Sequence, residues 1–98
     1  MTTKKSASVS QAEIGASQGD LSSMELLARR FFDGRGVAQN HSMSYVWSTV
    51  ATQLGVKNLD CLNKYSLKHM TTEQQASAIQ EIQKVRGELP RVSGNYAL

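Results

Sequence analysis

The residues in this chain that are able to do chemistry are few and dispersed. One cysteine, Cys61, and two histidines, His41 and His69, are its only thiol and imidazole groups. A thiolate nucleophile needs a lowered pKa and a base at hand. No histidine stands three or four positions from Cys61, and His69 lies two helical turns away. A lone small cysteine of this kind reads as buried filling. Metal sites need ligands at set spacings such as His-Glu-x-x-His, and nothing here supplies one. Gly34-Arg35-Gly36 has the glycine density of a phosphate loop. No strand pattern precedes it and no Lys-Ser/Thr pair follows, so it reads as a turn. Trp47 and Phe31 have the faces for a ligand platform, but their helical spacing makes them core. No paired-carboxylate site stands out, and spacing alone does not test for a triad. The expectation is a protein that is not an enzyme and holds no cofactor or metal.

The bulk properties agree with that reading. Ninety-eight residues allow one domain. Hydrophobic residues make up 40% and charged residues 19%, the balance of a soluble globular chain. A single cysteine excludes a disulfide framework. No apolar run approaches a membrane span, and no apolar segment follows Lys4 and Lys5 as in a secretory signal. A cytoplasmic domain is therefore expected. The net charge of +3 comes from eleven basic and eight acidic residues. The bases are scattered, and Lys64 with Lys68 makes a solvated face rather than a phosphate track, which argues against a nucleic-acid partner.

The elements that must position these residues are all helical. Residues 1–9 are polar and aperiodic and read as a flexible arm, 10–90 as one domain, and 91–98 as a tail. Ser10, with Glu13 three positions on, predicts a capped helix over about 11–18, ended by Gly19. Asp20 or Ser22 caps a second helix, whose Leu21, Met24, Leu27, Ala28 and Phe31 form one apolar stripe. Glu25 and Arg29 lie off that stripe, one turn apart, in the favourable order for an ion pair. Asp33-Gly34-Arg35-Gly36 predicts a tight turn with positive φ at glycine.

Asn40 caps a third helix to about Leu54, with Met43, Trp47, Val50, Ala51 and Leu54 inward. Gly55 ends it, and Asn58 caps a fourth, with Leu59, Leu62, Ser66 and Met70 on one side. Thr71 and Gln74 form a capping box for a fifth helix, where Ala78, Ile79, Ile82 and Val85 face inward and Gly87 and Pro90 close the end. No segment alternates like a strand. About five antiparallel helices joined by short turns are expected.

Gly19 and Gly55 both end helices 36 positions apart, and Leu26 and Leu62 share that offset. Between the glycines stand Ser23, Leu27-Ala28, Phe31, Gly34-Arg35-Gly36-Val37, Ser44, Trp47, Val50-Ala51 and Gly55. This stretch resembles one repeat of the Sel1-like family, relatives of the tetratricopeptide repeats. Ala28 stands where the family has Gly, Ser44 where it has Ala, and Asn40 where it has Asp. In the next unit Asn63-Lys64 replaces Leu-Gly, and the Gly-x-Gly-Val turn is missing. The resemblance implies a short helical-hairpin solenoid with one good repeat between capping helices.

It also implies a function. Members of that family generally act as adaptors and regulators in complexes. The expected role is a protein–protein interaction module: an adaptor, a regulatory subunit, or a small inhibitor or immunity protein of bacterial or phage origin. A self-associating homodimer is the alternative, since one repeat leaves two solenoid ends to cover. The expected partner face carries Glu25, Arg29, Phe32 and Tyr45, which lie outside the strongest stripes. Tyr65 and Lys68 form the next candidate face.

Overall fold

The computed structural model describes residues 5–90, and they form five helices: α1 (Ala7–Ser17), α2 (Leu21–Asp33), α3 (His41–Gln53), α4 (Asp60–Lys68) and α5 (Thr72–Glu88). No strand occurs among the described residues. No helix is long and apolar enough to cross a membrane. The predicted 91–98 tail and the first four residues of the predicted arm lie outside the described residues.

Three helix starts are set by local chemistry that the sequence displays. Asp20, Asn40 and Thr71 each adopt extended backbone and accept from the amide three residues on. At Thr71 the box is reciprocal, with Gln74 Oε1 accepting from the Thr71 amide at 2.9 Å. The Gly34-Arg35-Gly36 turn has both glycines at positive φ, +73° and +77°. Asn40 N–H donates back to the Phe31 carbonyl at 2.9 Å, which fastens the two ends of this connection.

Two helix starts differ from expectation. α1 begins after Ser6 rather than Ser10, so residues 7–9 belong to the helix. Ser6 Oγ accepts from Val9 N, Ser6 N–H donates to the Gly36 carbonyl at 2.7 Å, and Val9 is fully buried. A tertiary tether thus selects one of two serines with equal capping ability. Glu13 pairs with Lys5 at 2.9 Å instead of closing a box on Ser10. Asn58 does not cap α4. It takes left-handed backbone at φ +70°, and Leu59 occupies the cap position without a side-chain bond. Leu59 is 1% exposed, so its burial places this turn.

The core gathers Val9, Ala12 and Ala16 of α1, Met24, Leu27, Ala28 and Phe31 of α2, and Val46, Trp47, Val50 and Ala51 of α3. Leu59, Met70, Ala78 and Ile82 extend it toward the C-terminal end. α1 packs on α2, α2 on α3 and α3 on α4. α5 then lies on α3 and barely touches α4. Helix α3 is therefore flanked by three others. One apolar stripe does not serve three neighbours, and Ser44, Val46 and Ser48 are buried beside the expected residues. The fifth helix was expected to bury Ile79, but Ile79 is 53% exposed. With α3 as its only substantial neighbour, α5 buries just Ala78 and Ile82 and half-buries Val85. Gly87 stays inside α5. The helix ends because Pro90 forces Leu89 into extended backbone, φ −70° and ψ 148°.

Candidate functional site

The helical period that buries Met24, Leu27, Ala28 and Phe31 turns Glu25, Arg29 and Phe32 onto the adjoining face of α2. On α4, Leu59, Ser66 and Met70 are buried, so Cys61 and Tyr65 turn outward. Between these faces opens a cleft of ≈ 390 Å³. Arg29, Phe32 and Asp33 line one wall, and Asn58, Cys61, Leu62 and Tyr65 line the other.

Its apolar surface is mostly ring and aliphatic side chain. Phe32 meets Tyr65 edge-on, centroids 5.3 Å apart at 71°. It meets His41 the same way at 5.7 Å. Tyr65 stacks on His69 at 4.3 Å, and His41 lies 5.1 Å from His69. Offset and edge-to-face pairs of this kind add roughly 0.5–1.5 kcal/mol beyond burial. They hold Tyr65 in place although it is 49% exposed. On the other wall, Arg29 Nε and Nη2 both donate to Glu25 Oε2, at 3.2 and 3.0 Å. The pair is exposed, so it orders the guanidinium more than it stabilises the fold.

Of the four residues expected to form the partner face, Arg29 and Phe32 line the cleft and Glu25 orients Arg29. Tyr45 does not line it. Tyr45 is half-buried against the core on α3. The expectation for Tyr65 fits its place in the cleft wall. The role of the histidines was not visible in the sequence. One signal was present, the four-residue spacing of Tyr65 and His69, which puts both rings on one face of α4. Cys61 was expected as buried filling, but it is exposed at the second position of α4. The register set by Leu59 and Ser66 turns it outward.

A second, larger cleft of ≈ 450 Å³ lies between α3 and α5, with Met43, Val46 and Ala78 at its base and Glu73 and Glu81 at its rim. It contains no aromatic residue. Among the described residues, no group of three or more His, Cys, Asp or Glu side chains is placed to hold a metal ion. No protein-family model, curated protein or solved structure matches this chain.

Proposed function

We propose that this domain is a non-enzymatic protein-interaction module of Sel1-like, short-solenoid type, and that it grips another protein in the α2–α4 cleft. The observation that carries the reading is Tyr65: a large ring left half in solvent, held edge-on against Phe32, beside a guanidinium already oriented by Glu25. Rigid aromatic and Arg anchors are the side chains that dominate partner binding, because little entropy is lost on docking them. In a solenoid, the first helices of successive units line the inner face. On this reading α2 and α4 are those helices. Bound there, the domain acts by occupying a surface, as an adaptor, a regulatory subunit or an inhibitor.

The test is affinity capture with mass spectrometry, comparing the wild-type chain with an Arg29→Glu/Tyr65→Ala variant and a Tyr45→Ala variant. A stoichiometric partner should be lost from the first and kept by the second, with helical circular dichroism unchanged in both. Retention by the folded Arg29→Glu/Tyr65→Ala variant places the interface elsewhere.

A second reading, self-association, is favoured by one observation. Ile79 stands exposed on α5, the last helix of the array. Light scattering should then report a dimer that Ile79→Glu converts to monomer.

A further inference from the structure

We propose that His41 and His69 together bind a divalent zinc ion where the first turn of α3 meets the end of α4. His41 is the first residue of α3 and His69 is the C-cap of α4. Their ring centroids are 5.1 Å apart with planes inclined by 31°. Two imidazoles on one tetrahedral ion, each at a Zn–N distance of about 2.0–2.1 Å, set their centroids about 5 Å apart. The observed spacing matches that arrangement.

The hydrogen bonding of His69 fits a ligand. Its Nδ1 lies 2.9 Å from the Tyr65 carbonyl oxygen. A carbonyl only accepts, so Nδ1 carries the proton, and in the neutral ring the lone pair is left on Nε2. A ring N–H donated to a backbone carbonyl is the usual outer-shell support of a zinc-bound histidine. His41 is not used by the fold in this way, since its buried Nδ1 has no hydrogen-bond partner. Both rings border a pocket shared with Gln39, Asn40, Ser42 and Gln74. The Asn40 and Gln74 amide oxygens are committed to helix caps. Gln39 donates through Nε2 to the Phe32 carbonyl, which leaves its oxygen as a third donor. Water completes the four positions. With two imidazoles the site is an exchangeable one, and a carboxamide oxygen adds little. Occupied, it ties α3 to α4 beside Phe32 and Tyr65. It does not depend on the interaction proposed above, because its test reads the ion alone.

The experiment titrates the full chain with Zn²⁺, following imidazole nitrogen shifts by NMR and affinity by competition with a chromophoric chelator. The His41 and His69 resonances should move together with one-to-one stoichiometry. His69→Gln, at an exposed position, should keep the helical circular dichroism and weaken binding by at least about tenfold, the scale on which loss of even a supporting group acts. His41→Gln should do the same, and if it unfolds, His69→Gln still decides. Unchanged affinity in folded His69→Gln, or Zn²⁺ shifts that spare both rings, overturns the assignment.

Discussion

Ser44 Oγ donates to the backbone carbonyl of Ala28 at 2.9 Å, and both residues are fully buried where α2 crosses α3. Small side chains at both positions let the two backbones approach, and the hydroxyl uses the approach to add a bond between helices. The Ala28 carbonyl, inside α2, also accepts the helical bond from four residues on. Ser44→Ala should therefore destabilise by only about 0.5–1.5 kcal/mol in urea unfolding. Ser44→Leu forces the helices apart, and its loss should be larger, by about 1–3 kcal/mol.

Ser66 is the opposite case. It is equally buried, and its Oγ has no hydrogen-bond partner. Ser66→Ala removes an unsatisfied hydroxyl and improves helix propensity. It should stabilise the domain by about 1 kcal/mol. A fall in the unfolding midpoint would show that the hydroxyl is satisfied in solution.

The two turn glycines should respond unequally. Each has positive φ, so alanine costs roughly 1–2 kcal/mol at either. At Gly36 a Cβ would also stand 2.5 Å from Ser6 Oγ and 3.0 Å from Ser6 Cβ, whereas at Gly34 the nearest atom is Gln39 Cβ at 3.2 Å. Gly36→Ala should be the more destabilising and should loosen the start of α1. Amide exchange at Val9 and Ser10 in that variant, faster than in Gly34→Ala, is the measurement that checks it.

Trp47 is buried in the same core cluster as Phe31. Trp47→Ala should cost about 3–5 kcal/mol by thermal or denaturant unfolding. A near-wild-type midpoint would mean that α3 does not hold the core together.

The caps at Asp20, Asn40 and Thr71, and the glycine turn, were legible because each is decided within four residues of chain. The start of α1 was not, because Ser6 and Ser10 are equivalent locally and a bond to Gly36, far along the chain, chooses between them. Ile79 was misplaced for a related reason. Periodicity marks an apolar face without saying which helix covers it, and α5 settles on α3 alone. In the candidate site, Arg29 and Phe32 could be found as residues left off the α2 stripe. Tyr45 met the same criterion but packs on the core, since α3 has more neighbours than one stripe describes. The grouping of His41 with Phe32, Tyr65 and His69 needs three helices in register, which no local spacing encodes.

The central position of α3 also governs how the domain comes apart. α1 rests mainly on α2, and α5 mainly on α3, so either end helix can detach while the rest stays whole. α3 cannot leave without stripping α2, α4 and α5 of their shared partner. Its interior amides should exchange with solvent only through global unfolding, and those of α1 and α5 through smaller openings of lower free energy. The chain then behaves as a cooperative three-helix centre with two detachable flanks, in contrast to a linear array in which every unit melts against its neighbours alike.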